Sequence, residues 1–397
     1  MNILFITEQF PYPLDNGGNI RSYNIARELA KEHRLHLLAI DEGNVSGSDI
    51  EELGKFCVSV RLVSKEPQSR LRTGWYLAEG ILGKIPYPIN KNRSDKLLKT
   101  VKEEIEKREI DLLHFNHLDT ACYAFDLDRE IPAVFDSHNF LTNVLERYAE
   151  LEPNFIKKRY IERQAKKMRA YEALVCRRVS LTLACSQDDA GAFERLAPGS
   201  RVEIIPNGVD PDRFREGRDR SGKRSDKILF LGSMDYLPNA EAVAFFIREV
   251  MPGLVERRSG LQFQVIGKNP PENIRKLAGA NIKILEKVAD IGPYLAQADL
   301  MIVPIFIGGG TRIKILEAMA AGLPVVSTTI GIEGIAGEDG RNFLLADNAE
   351  AMTDKILLLL ENDNLRKEIS ENGKRFVKRY YTWEMIGEKL RKLYSDF

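Results

Sequence analysis

Short apolar runs alternate with amphipathic stretches along nearly the whole chain. NILFIT (2–7), HLLAID (36–41), DLLHFN (111–116), PAVFDS (132–137) and LTLACS (181–186) are rich in branched side chains on both alternating faces. That pattern predicts strands buried on both sides, as in a parallel sheet. Between them, apolar positions recur at helical spacing, as in SYNIARELAKE (22–32) and KLLKTVKEEIEKR (96–108). Strand and helix in alternation predict a parallel sheet covered by helices.

A charged stretch without periodicity, REGRDRSGKRSDK (215–227), follows IIPNGVDPDRF (204–214). A second series then begins with KILFLGS (227–233), QFQVIGK (262–268), DLMIVPI (299–305) and PVVSTT (324–329). The break near residue 210 predicts two α/β domains, 1–208 and 209–376, as suits a chain of 397 residues. The terminal segment KRFVKRYYTWEMIGEKLRKLY (374–394) reads as one long amphipathic helix with an aromatic face to bury.

Charge changes this picture little. Lys plus Arg and Asp plus Glu number 58 each, so no global field recruits nucleic acid or a membrane. Cys57, Cys122, Cys176 and Cys185 lie in apolar stretches without metal-ligand spacing and read as buried thiols in a reducing compartment. The start, MNILFITEQF, meets Glu8 before a signal-like run develops, and no stretch approaches 18 apolar residues. A cytoplasmic protein is expected.

The densest chemistry lies in DLMIVPIFIGGGTRIKILEAMAAGLPVVSTT (299–329). A strand ending near Ile305 leads into Gly308-Gly309-Gly310, and Thr311 is placed to cap a helix that Gly322 and Pro324 end. Free backbone N–H groups and the helix dipole make such a glycine loop an anion site. Arg312 and Lys314 add two cations suited to a diphosphate. Glu317 stands in an otherwise apolar run. A buried carboxylate needs donors, which a ribose diol would supply; the alternative is a surface pair with Lys314, three residues earlier.

This segment resembles the donor-binding signature of the retaining GT-B glycosyltransferases of family 4: two acids separated by seven residues, then an AMA-x-G-x-PVV run. Glu317 matches the second acid, and Gly309 stands where the first should be. PYPLDNGGNIRSYNIARELA (11–30), FDSHN (135–139), ACSQ (184–187) and IPNGVD (205–210) resemble further family motifs in the family's order. The resemblance implies two facing Rossmann-like domains and a terminal helix, 377–397, returning to the first. It implies a nucleotide-sugar donor held by Gly18, Ser233, Asn239, Gly267, Val288, Gly309, Gly310, Thr311 and Glu317. His138, Arg312 and Lys314 would serve catalysis, with retained anomeric configuration and the leaving phosphate assisting the acceptor hydroxyl. Many relatives carry an Arg and a Lys where this chain has Ser233 and neutral neighbours including Asn239, so Arg312 and Lys314 are expected to take over the diphosphate clamp.

Gly17-Gly18, ahead of a helix expected from Ser22, would let backbone approach a ligand. No metal or other cofactor is expected. His114-x-x-His117 on a strand would point to opposite faces, and Asp126-Leu127-Asp128 reads as a surface turn. Between Phe155 and Arg178 nine basic residues face two acidic ones, a helix either simply solvated or resting on anionic lipid. The acceptor, a glycan or a lipid-linked molecule, is not specified. A dehydrogenase reading, prompted by Asp41 after the second strand, lacks GxGxxG. A non-catalytic sugar-nucleotide binder and a sugar-nucleotide epimerase remain as alternatives.

Overall fold

Each of the nine apolar runs becomes an interior strand of one of two parallel sheets. The computed structural model describes all residues except 66–79, 81, 82, 128, 129, 215–224, 287 and 289. The charged stretch after Phe214 and Asp128 therefore lie mostly or wholly outside the described residues. The first sheet holds β1 (Asn2–Thr7), β2 (Arg34–Asp41), β3 (Ser59–Ser64), β4 (Leu112–Asn116), β5 (Ala133–Asp136), β6 (Leu181–Ala184) and β7 (Val202–Ile204). Its order is β3-β2-β1-β4-β5-β6-β7. The second holds β8 (Lys227–Leu231), β9 (Gln262–Ile266), β10 (Ile282–Leu285), β11 (Leu300–Val303), β12 (Val325–Ser327) and β13 (Leu344–Leu345), in the order β10-β9-β8-β11-β12-β13. Both are Rossmann-like: the order runs outward one way from the first strand, then outward the other, through parallel crossovers.

The chain divides into two compact units. Unit 1 is Met1–Pro206 with Ile386–Phe397, and unit 2 is Asn207–Met385. Each sheet is sandwiched by helices over its own apolar core, with Phe5, Phe115 and Phe135 buried in the first and Phe230, Phe246 and Phe263 in the second.

The segment expected as one terminal helix is two, Asp363–Tyr380 and Trp383–Tyr394. Between them Tyr381 O accepts from Val209 N at 2.8 Å and Val209 O accepts from Trp383 N at 3.3 Å. This short bridge draws two peptide groups out of helical pairing. The return to unit 1 consequently falls at Ile386 rather than 377. Beyond it, Ile386, Leu390 and Tyr394 are buried, Arg391 pairs with Glu28 at 2.6 Å and Glu32 at 2.9 Å, and Tyr394 Oη lies 2.5 Å from His114 Nδ1.

Register fixes where chemistry can sit. Thr7 pairs with Asn116 and Asn116 with Asp136, so β1, β4 and β5 end level and release Glu8, His117 and His138 at one sheet edge. In unit 2, β8 ends beside β9, Leu231 opposite Ile266, and β11 ends beside β12, Val303 opposite Ser327. Ligands of open α/β sheets bind at such carboxyl edges.

Candidate functional site

In unit 2 the glycine loop leaves β11 as expected, but its brace is not. Gly308 and Gly310 have φ of +140° and +70°, conformations that side chains with a Cβ rarely adopt. Thr311 does not cap the following helix, Ile313–Ala320; Arg312 holds the cap position, without a side-chain cap bond. Its guanidinium instead turns back into the loop, donating to Gly309 O at 2.5 Å, to Gly310 O and to Ile330 O. Arg312 is thus a buried brace that fixes the loop's carbonyls inward. Asn207, from the IPNGVD motif, ties the same turn by donating to Thr311 O at 3.1 Å.

Lys314, half-buried, is the cation of the two that does not turn into the glycine loop. Its Nζ donates to Asn239 Oδ1 at 2.8 Å, while Asn239 Nδ2 donates to Ser233 O at 2.8 Å. The ammonium lies 4.5 Å from the Phe230 ring centroid, on its face. A Cβ on Gly232 would stand 2.7 Å from it. The helix after the glycine loop therefore delivers a positive charge to the β8 loop. Burial, with Arg312 adding repulsion, holds the Lys314 ammonium down at about 7. Gly267 packs against the same loop; a Cβ there would meet Gly232 O at 1.8 Å, so only glycine permits the approach. Val288 packs, half-buried, against the unit's apolar core.

Glu317 is 8% exposed and one helical turn beyond Lys314. Burial raises its carboxyl to about 7, against the opposing pull of Arg213 and Lys314. The surface-pair alternative does not hold, because the residue is buried and no hydrogen bond to its carboxylate occurs among the described residues. Arg213, which the sequence reading passed over, is the larger of its two cationic neighbours.

In unit 1 the helix begins at Gly17 rather than Ser22, capped by Asn16, whose Oδ1 accepts from Asn19 N at 2.9 Å. Gly17 and Gly18 are therefore its first turn, not a loop ahead of it. A Cβ on Gly18 would lie 3.8 Å from His138 Nδ1, so those two predicted residues do meet. His138 Nε2 is buried without a hydrogen-bond partner among the described residues, 3.9 Å from Asp136 Oδ2. Burial outweighs that carboxylate and lowers the imidazole to about 3, so it is neutral.

Beneath lies a network absent from the sequence reading. Arg21, 1% exposed, binds Asp136 at 2.5 Å and donates to Ile205 O at 2.9 Å. Asn116 donates to Asp136 Oδ2 at 3.3 Å and is joined to Ser22 Oγ at 2.8 Å. His114 faces Tyr394 and is lowered to about 4 by burial. His117 turns the other way: its Nδ1 lies 3.0 Å from Asp119 Oδ2 and 4.0 Å from Glu8 Oε1. The ligand atoms of Glu8, His117 and Asp119 lie within 4.8 Å of one another. Burial and then the Asp119 charge raise Glu8 to about 8; Asp119 and Glu8 raise His117 to about 9 despite its burial. A protonated Glu8 and an imidazolium thus already balance Asp119. Asp126 pairs with Arg93 at 2.8 Å.

Against this geometry, the family model for Glycosyltransferase Family 4 matches residues 15–213, half of the chain. The chain belongs to glycosyltransferase family 4. A second model, Glycosyl transferases group 1, matches this family 4 chain over 225–362, which spans the glycine loop and Glu317. A phosphatidyl-myo-inositol mannosyltransferase of Mycobacterium leprae is 30% identical over 217 residues, 52% of this chain and 57% of the relative. The chain thus spans little more than half the length of the curated relatives it matches. Sucrose-phosphate synthase of Thermosynechococcus elongatus superposes with a TM-score of 0.74 at 16% identity, covering 100% of this chain and 98% of that one. Anabaena HepE in complex with UDP-glucose gives a TM-score of 0.68 at 17% identity, covering 100% of both. The fold of this family 4 member is accordingly GT-B.

Proposed function

We propose that this chain transfers a sugar from a nucleoside diphosphate sugar to an acceptor hydroxyl, with retention of configuration and without a metal ion. What carries the reading is the helix Ile313–Ala320, which presents an ammonium, Lys314, and a buried carboxyl with no hydrogen-bond partner among the described residues, Glu317, one turn apart behind a glycine loop. The Lys314 ammonium suits a diphosphate, and Glu317 suits the two hydroxyls of a ribose.

Departure of the diphosphate builds negative charge, which Lys314 and the loop and helix N–H groups stabilise, lowering the barrier directly. Arg312 holds those groups in place. A divalent cation becomes dispensable where protein cations and a helix N-terminus do its work. We assign the neutral His138 and the adjacent Gly18 to the transferred sugar, and the leaving phosphate to deprotonation of the acceptor. The acceptor is a glycan or a lipid-linked molecule; the mannosyltransferase relatives act, by name, on phosphatidyl-myo-inositol. The basic helix Phe155–Arg178 is the surface we assign to peripheral membrane contact.

The test is titration calorimetry with nucleoside diphosphates, UDP first because HepE binds it, followed by donor turnover with EDTA present. Glu317→Gln should weaken diphosphate binding by about 1.5–3 kcal/mol, the scale of a hydrogen bond to a charged group. Normal binding by that variant, or turnover abolished by EDTA, would sink the reading.

A further inference from the structure

Beside the helix Phe155–Arg178, unit 1 holds a pocket of about 550 Å³, within the range of about 300–1,000 Å³ usual for small-molecule sites. Its lining is divided by chemistry. Along the helix, Arg163, Lys166, Lys167, Ala170 and Leu174 recur every three or four residues, so one face of the helix forms the wall. That wall is cationic toward the helix N-terminus and apolar toward its C-terminus. Cys122, Phe125 and Tyr171 continue the apolar end, where Arg93 is held in its pair with Asp126, and Lys84 is a further cation of the lining.

Two of the cations are already engaged: Arg93 with Asp126 at 2.8 Å, and Lys167 with Gly80 O at 2.6 Å. Lys84, Arg163 and Lys166 are exposed and have no ion-pair partner among the described residues. Among the described residues no acidic side chain lines the pocket. At its apolar end Phe125 and Leu174 are 44% and 52% exposed, water-facing surface that a hydrocarbon would cover. An apolar cavity with three uncompensated cations in its lining is complementary to a molecule with a hydrocarbon chain and an anionic head.

We propose that this pocket binds one molecule of a lipid phosphate, the chain lying against Phe125, Tyr171 and Leu174 and the phosphate on Lys84, Arg163 and Lys166. This is a discrete site, distinct from loose adhesion of a basic helix to a charged surface. It also differs from the nucleotide site, which belongs to unit 2.

The experiment is calorimetric titration of the full chain with monomeric dodecyl phosphate, alongside inorganic phosphate and the uncharged dodecyl maltoside. Dodecyl phosphate should bind one to one, and the two controls should bind at least tenfold more weakly. Ala170→Trp fills the cavity from an exposed position and should weaken dodecyl phosphate at least tenfold. Arg163→Glu with Lys166→Glu, also at exposed positions, should do the same, with circular dichroism and Tm reporting that both variants are folded. Binding of dodecyl phosphate that ignores Ala170→Trp would overturn the site. Equal binding of inorganic phosphate would overturn the role of the chain, and equal binding of dodecyl maltoside that of the phosphate. None of these titrations contains nucleotide, so their failure leaves diphosphate binding to be judged separately.

Discussion

At the residue scale, the informative finding is which side chain brings positive charge to the loop after β8. Ser233 and Asn239 carry no charge, and Lys314 reaches across to Asn239 at 2.8 Å to supply a cation from another helix. Lys314→Ala should therefore cost about 1.5–3 kcal/mol of diphosphate affinity while leaving the nucleoside alone nearly unaffected, as titrations with UDP and uridine would reveal. Arg312→Ala should differ in kind: it frees the loop, so thermal stability falls as well as turnover. Glu317 carries a pH signature. Its folded carboxyl, at about 7, lies above the ordinary carboxylate value, so its favourable contribution is complete at acid pH and fades as pH rises through about 7. Glu317→Gln should match wild type in Tm near pH 4.5 and exceed it near pH 8, by about 1–3 kcal/mol in chemical denaturation. The sequence made these residues legible because each breaks an apolar run or follows a glycine. It hid Arg21, Asp136 and Glu8, whose meaning arises only when three strand ends are brought level by register.

At the scale of elements, every strand missed in the sequence is an edge strand. β3, β7, β10 and β13 flank the two sheets, and most of their residues are only partly buried. An edge strand has a neighbour on one side and solvent nearby, so it need not be apolar on both faces, and the run that betrays an interior strand never forms. The terminal helix was legible as amphipathic, yet its break was not, because the Val209 bridge that interrupts it lies some 170 residues away (382 against 209). That helix offers two tests of packing. A Cβ on Gly387 would meet Glu28 Oε2 at 2.1 Å, and that carboxylate is pinned by Arg391 and Lys31. Gly387→Ala should destabilise unit 1 by about 1–3 kcal/mol. Tyr394→Phe leaves a buried His114 nitrogen without its partner and should cost about 1–3 kcal/mol; a Tm equal to wild type would show the contact to be idle.

For the whole molecule, a nucleotide should act on unit 2, while pH acts on both units, on unit 2 through Glu317 near pH 7 and on unit 1 at higher pH. A nucleoside diphosphate at a hundredfold its Kd adds about 2.7 kcal/mol to the unit that binds it, so scanning calorimetry should show one transition move and the other stay. Alkali should act on unit 1. Its His117 and Glu8, at about 9 and 8, both lie above their ordinary values, so the stability they contribute is intact at low pH and lost as pH climbs through 8 and 9. His117→Gln should flatten the fall in Tm between pH 7 and 9.5. The crossing at Ile386 has a further consequence, for synthesis on the ribosome. Unit 1 supplies the first 206 residues, but its His114–Tyr394 pair spans 280 positions. Unit 2, by contrast, is one unbroken stretch, closed once Thr382 reaches Val209. During translation the second unit can therefore finish while the first still lacks its last helix, leaving the apolar groove for Ile386, Leu390 and Tyr394 open. A nascent chain stalled before residue 386 should be bound by chaperones through the unit made first, and release should follow only when the final helix emerges.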